Sequence, residues 1–276
     1  LGILPIVLIL GVWWLLTRGA QQDRVISSAI LPSPVEVVQS FPSLWFQAEL
    51  SRCAVASTWR VVQGFVVALA VAFPLGLAMG SFTRVRSLFE PLSVFGAYLP
   101  IPALVPLTMS LFGVDEGQKV MFLALAFFIF LLPMILRAVD EVDDNYLRTA
   151  YTLGATRREA IRHVLFGVAA PKIYQAMRLG FGIGWTYIIL AEMVAAERGL
   201  GQIIIVAQRR GPREHIYLVL LVIVLIAYVT DRLWVLAAFG LGNLGSQLLE
   251  AAGDPLGRLV QMRQLLLAGL DLPVQA

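Results

Sequence analysis

Cysteine is nearly absent. Cys53 is the only one in 276 residues, so no disulfide can close within the chain. Charge is scarce as well: 14% of residues are Asp, Glu, Lys or Arg, where a soluble domain carries about a quarter. That deficit argues against a water-soluble enzyme and against intrinsic disorder. The net charge of +3 is too small to imply a nucleic-acid partner. There are two histidines, His163 and His215, and neither has neighbours at metal-ligand spacing. No Ser/His/Asp arrangement is credible, so no catalytic residue is expected and no metal or other cofactor is expected in this chain. The 14 prolines and 23 glycines follow no short period, which excludes collagen-like order. A Gly-x-x-x-x-Gly-Lys-Ser/Thr phosphate loop is also missing.

Apolar length is what the sequence does have. Apolar residues make up 59% of it, and mean hydropathy is +0.81. Runs of this length must cross hydrocarbon as helices, because only a helix or closed barrel satisfies the backbone internally. The expected fold is therefore all-α and polytopic, with about six spans of roughly 20 residues each. They fall near residues 1–17, 57–83, 88–113, 118–137, 172–196 and 215–236, in a single transmembrane domain covering 1–240. The first run has no basic start and no small-residue cleavage site, so it reads as a span rather than a signal peptide. Residues 19–51 read as an extramembrane loop with a short amphipathic piece, with Leu31-Pro32-Ser33-Pro34 breaking any helix. The tail, 241–276, has an apolar stripe with Arg258 and Arg263 on its polar side, as an amphipathic helix would. Basic residues flank both the loop before the fifth span and the loop after it, so charge bias alone sets orientation only weakly.

The stretch 140–170 is unusually polar for this chain. Asp140, Glu141, Asp143 and Asp144 open it, where carboxylates suit a helix N-terminus. A first short helix is expected through Leu147, Ala150 and Tyr151, ending at Gly154. A second short helix starts with Thr156 as N-cap and Glu159 at its third position, a capping box. Two readings stand: a solvated loop whose arginines touch lipid headgroups, or a rigid helix pair that docks into a groove on a soluble partner.

These residues carry a resemblance. Ala150-x-x-Leu153-Gly154-Ala155-Thr156, with Ile161, Val164 and Ala170-Pro171, resembles the coupling-loop signature of binding-protein-dependent ABC importer permeases. That pattern is written Glu-Ala-Ala, three residues, Gly, nine residues, Ile-x-Leu-Pro. Here Arg148-Thr149-Ala150 stands in place of Glu-Ala-Ala, and Gly167 in place of the first proline. Ser57-Thr58-Trp59-Arg60, Leu99-Pro100-Ile101-Pro102-Ala103, and Leu179-Gly180-Phe181-Gly182-Ile183-Gly184-Trp185 with Ala191-Glu192-Met193 are similar to the nitrate, sulfonate, taurine and bicarbonate branch.

The resemblance implies a multi-pass subunit of the bacterial inner membrane that forms a homodimer. Two cytoplasmic ABC ATPases would bind ATP and Mg, and a periplasmic or lipid-anchored solute-binding protein would deliver substrate. It implies ATPase coupling through Arg148, Thr149, Ala150, Leu153, Gly154, Ala155, Thr156, Arg157, Arg158 and Ile161. Tyr98, Pro100, Pro102, Thr108, Trp185, Thr186 and Glu192 are the expected lining of the path or its gate. Proline frees backbone carbonyls that only protein or water in a cavity can satisfy, although a kinked, packed helix explains the prolines equally. Glu192 reads as structural or gating rather than as a ligand for an anion. Arg60 and Arg178 read as snorkelling to headgroups, or else as local attraction of anions or bonds between spans. Gly180 and Gly184 form a small-xxx-small pair, expected at the dimer interface. Cargo would be a small oxyanion or sulfonate; a neutral or aromatic compound is the alternative, and an ion-driven transporter the more distant one.

Overall fold

A computed structural model of the chain describes residues 4–19, 24, 26–27, 30–194 and 196–251, with 241–251 described by backbone only. The described residues form helices and connecting turns. In order these are α1 (Leu4–Thr17), α2 (Pro34–Gln39), α3 (Phe41–Phe46), α4 (Leu50–Ser81), α5 (Thr83–Ala97), α6 (Leu104–Phe112), α7 (Glu116–Asp140), α8 (Asp144–Thr152), α9 (Arg157–Glu159), α10 (Phe166–Met193), α11 (Leu200–Arg210) and α12 (Arg213–Ala251). The chain divides into two compact units, Leu1–Leu225 and Ile226–Ala276. In the second, the guanidinium of Arg232 stacks 4.9 Å from the Tyr228 ring centroid. The expected tail helix lies largely outside the described residues. Its first part, to Ala251, continues α12.

Among the described residues, three helices are long and apolar enough to cross a membrane alone: Leu50–Ser81, Glu116–Asp140 and Arg213–Gly240. A fourth qualifies only if α5 and α6 count as one broken span. The six expected spans therefore do not all stand out as continuous apolar helices. α1 has 14 residues, short for a crossing. α10 has 28, but Gln175, Arg178, Thr186 and its glycines dilute it.

Several boundaries move. The second span begins at Leu50, inside the region expected to be loop. The third is not one helix: α5 and the arm Ile101–Phe112, a 3₁₀ turn (Ile101–Ala103) followed by α6, bend by 94° across Tyr98–Pro100. A charge-free run says nothing about straightness, and Pro100 and Pro102 cannot donate to an α-helical ladder. Ser33-Pro34 starts a helix instead of breaking one. Ser33 caps α2, its hydroxyl accepting from the amide of Glu36, and Pro34 occupies the first turn, where its missing N–H costs nothing.

The core is α4, α7 and α10. Val61, Phe65, Ala68, Ala72 and Met79 recur along one face of α4 and meet α7, whose Phe122, Leu123, Phe127, Leu131, Leu132 and Ile135 are buried. Phe65 sets its ring edge-on to Phe127 (5.4 Å) and to Phe181 (5.2 Å), joining all three helices. Helices in lipid gain most where small residues let backbones approach. On α10 this happens at Gly180 against Leu131 and at Gly184 against the Phe127 ring. The pair expected at a dimer interface is thus consumed within the chain, by α7. A Cβ at Gly184 would collide with the Phe127 ring edge at Cζ. Gly184→Val is expected to cost about 1–3 kcal/mol by overpacking, read as a lower unfolding midpoint in detergent.

Candidate functional site

The polar loop is built as two arms around Gly154. α8 is capped by Asp143, whose carboxylate accepts from the amide of Asn145 at 2.9 Å. It ends in a Schellman turn: the Ala155 amide donates to Ala150 O (3.0 Å) and the Gly154 amide to Tyr151 O (3.0 Å). Gly154 sits at φ +87°, and a Cβ there would touch nothing within 4 Å. Glycine is required by backbone angle, not by space. The capping box follows. The Thr156 amide and hydroxyl donate to Glu159 Oε2 at 2.8 and 2.7 Å, and these bonds hold the Glu159 carboxyl below the usual carboxylate range. The second arm is not a separate short helix. α9 runs through a π-helical segment, Ala160–Leu165, directly into α10.

The expected coupling residues come together here. Ala150 is buried; Arg148, Thr149, Gly154, Thr156 and Arg158 are exposed; Ala155 and Ile161 are half-buried. Leu153 stands at the apex with 83% of its surface exposed, flanked by exposed Tyr146 and Tyr151. Arg157 turns back to the bundle. Its guanidinium lies 4.8 Å from the Phe82 ring centroid and donates to Ser81 O at 3.3 Å. Phe82, Arg157, Arg158, Ile161 and Arg162 line a cleft of about 360 Å³. The Lys172–Glu141 pair (2.8 Å) and the Arg86–Asp140 pair (2.9 Å) fix the root of the loop.

The residues expected along a path do not form one constellation. Tyr98, Pro100 and Pro102 lie exposed at the α5–α6 bend, with Tyr98 at 83%. Thr108 is buried against α7: its hydroxyl donates to Leu104 O (2.9 Å) and accepts from Gln118 Nε2 (3.0 Å). Trp185 is buried and its indole N–H has no partner among the described residues. Thr186 is exposed, on a stripe with Gln175, Leu179 and Gly182.

Glu192 lies fully inside, at the end of α10 away from the loop. Arg60 donates to it through Nη1 at 2.6 Å, and the Ser57 hydroxyl donates at 2.7 Å. The amide of Gly201 donates to Oε2 at 2.9 Å. Arg60 is the hub. It also donates to Arg198 O (2.7 Å) and forks onto Glu116 through Nε (2.5 Å) and Nη2 (2.8 Å). Buried Lys119 completes the cluster on Glu116 at 2.9 Å. Snorkelling is thus the wrong reading for Arg60, which ties α4, α7 and α10 together; a guanidinium with four bonded contacts has no reason to reach headgroups. Ser57, Glu116, Lys119 and Gly201 were missed as partners. The available signal was charge balance, since a carboxylate within an apolar span demands a cation.

Comparison with known proteins places the chain as follows. Residues 72–239 match the family described as "Binding-protein-dependent transport system inner membrane component". A probable ABC transporter permease protein of Brucella melitensis is 31% identical over 233 residues, covering 84% of this chain and 92% of that protein. The taurine transport system permease protein of Escherichia coli K12 is 32% identical over 208 residues, covering 73% of this chain and 74% of that one. An inward-facing structure of the MetNI methionine ABC transporter superposes with a TM-score of 0.61 at 18% identity, over 70% of this chain and 94% of that chain, a likeness of fold.

Proposed function

Because the chain belongs to the family of binding-protein-dependent transport system inner membrane components, we propose that it forms the translocation path for a small sulfonate or oxyanion in an ATP-driven importer. It is the non-catalytic membrane subunit. ATP and Mg belong to a separate ATPase. The working assembly is two copies of this chain, two ATPases beneath them and a solute-binding protein outside. Six crossings follow if α1, α4, the bent α5–α6 pair, α7, α10 and the proximal part of α12 each span the bilayer. The loop 140–170 then faces the cytoplasm.

One observation carries the coupling scheme: the docking arm is continuous with α10. An ATPase that grips Leu153 and its arginine neighbours pulls on a helix whose far end is bonded through Glu192 to Ser57, Arg60 and Gly201. The lever therefore moves as a body, which is what two-state gating requires. The second copy meets the open stripe of α10 around Gly182 and Thr186, because the Gly180–Gly184 face is filled.

Taurine is the favoured cargo class, from the Escherichia coli relative. The buried cations Arg60 and Lys119 are spent on Glu116 and Glu192. An anion thus passes them without being held by either, and selectivity falls to the binding protein. The test is purification of the tagged chain in mild detergent, followed by reconstitution with the proteins that remain bound. The expected result is a one-to-one ATPase and ATP-dependent uptake of taurine or another small sulfonate. Uptake driven by an ion gradient, with no ATPase attached, would overturn the reading.

A further inference from the structure

The cleft of about 360 Å³ beside the loop is not accounted for by the exposed apex. Its volume is that of a small-molecule site, about 300–1,000 Å³. It lies against the end of α4, where Arg157 stacks on Phe82 and bonds to Ser81 O, and not at Leu153. Its apolar lining is Phe82 and Ile161; the rest is three guanidinium groups, from Arg157, Arg158 and Arg162.

Arg157 is held in place. Arg158 and Arg162, one turn apart, make no ion pair or side-chain hydrogen bond with any described residue. The carboxylates at this end of the bundle are engaged elsewhere. Glu159 accepts from Thr156, Asp140 and Glu90 pair with Arg86, and Glu141 pairs with Lys172. A cleft walled by one sign of charge on apolar surface concentrates the opposite ion, and paired guanidinium groups suit a phosphate.

What lies deeper says which phosphate. One turn after Arg162, Phe166 opens α10 with 37% of its surface exposed. It sets its ring edge-on to Phe73 of α4, with centroids 6.0 Å apart. Phe73 lies about 13 Å before Phe82 along the helix, at 1.5 Å per residue. An apolar track thus runs from the cationic cleft down α4 and α10, into the membrane-spanning part of the bundle. A free phosphate has no use for that track; an acyl chain does.

We propose that the cleft binds the phosphodiester headgroup of an acidic phospholipid, from the leaflet on the loop's side, with an acyl chain along Phe166 and Phe73. Bound there, the lipid clasps the second arm of the loop to the end of α4. Such a site requires the membrane and not the ATPase.

The test uses the tagged chain with its bound proteins, stripped of lipid in mild detergent. Phosphatidylglycerol, phosphatidylcholine and glycerol phosphate are each titrated in, and retention is read by native mass spectrometry. The expected result is one phosphatidylglycerol per chain, with little phosphatidylcholine. Arg158→Gln/Arg162→Gln should weaken that retention at least tenfold, and Arg158→Lys/Arg162→Lys should restore most of it. Phe166→Ala should weaken phosphatidylglycerol several-fold. Equal retention by the wild type and the glutamine variant would overturn the site. Equal retention of phosphatidylcholine would overturn the choice of headgroup. Glycerol phosphate binding as tightly as phosphatidylglycerol, with no effect of Phe166→Ala, would make this a soluble-anion site and overturn the lipid. Binding of phosphatidylglycerol only after the ATPase has been removed would assign the cleft to the ATPase interface instead.

Discussion

Arg60→Ala is expected to lower stability by about 3–5 kcal/mol, the cost of removing one partner from a buried ion pair. Glu192 would remain inside the bundle with its main cation gone, and Glu116 would lose a two-point fork. Lys is a poor substitute. Its single ammonium cannot span Glu116, Glu192 and the Arg198 carbonyl together. Glu192→Gln is the sharper probe. Both carboxylate oxygens accept: Oε1 from Ser57 and Arg60, Oε2 from Ser57 and Gly201. An amide replaces one acceptor by a donor and sets two N–H groups against each other. Thermal unfolding in detergent and ATP-driven uptake should fall together for both variants. If Glu192→Gln retains both, the carboxylate is a packing residue and the strap to α11 is held by something else.

Leu153→Asp is expected to abolish ATPase retention and uptake while leaving insertion and detergent stability unchanged. A leucine with 83% of its surface exposed at a loop apex has no role in the fold of its own chain. Under the proposed docking, Leu153 enters a partner groove as an interface anchor worth about 2 kcal/mol or more, with Tyr146 and Tyr151 also exposed on the same arm. A carboxylate in that socket would be desolvated without a partner. Gly154 supplies a control of a different kind. Nothing occupies the space beside it, so only backbone angle matters. Gly154→Val should uncouple transport, because a β-branched residue resists φ +87°. Gly154→Asn should retain most activity, since asparagine tolerates the left-handed region. Equal activity for the two variants would mean that the Schellman turn is not what presents Leu153.

The turn at Gly154 was legible in the sequence because its determinants are local. A glycine two residues before Thr-x-x-Glu specifies a left-handed C-cap and then an N-cap within one turn of chain. The continuity of α9 with α10 was not legible, because a π segment has no composition of its own. The apolar runs at α4 and α7 revealed spans for the same local reason. The α5–α6 break escaped because hydropathy reports burial in lipid and carries no direction. Gly180 and Gly184 were correctly read as a close-approach face, but periodicity does not say whether the approaching helix belongs to the same chain. Glu192 announced that it needed a cation. That the cation was Arg60 depended on a contact between residues 132 apart.

The same separation has a consequence for how the chain is made. Arg60 emerges from the ribosome 56 residues before Glu116 and 132 before Glu192. At about 5–20 residues per second, roughly 7–26 s pass before its second carboxylate exists. During that interval α4 has either to keep its arginine near water or to linger beside the insertion machinery. The first pairing open to it is with Glu116, as α7 enters. The strap and α11 can then close over the cluster only after α10 has been made, so that end of the bundle acquires its native geometry well after α4 and α7 have met.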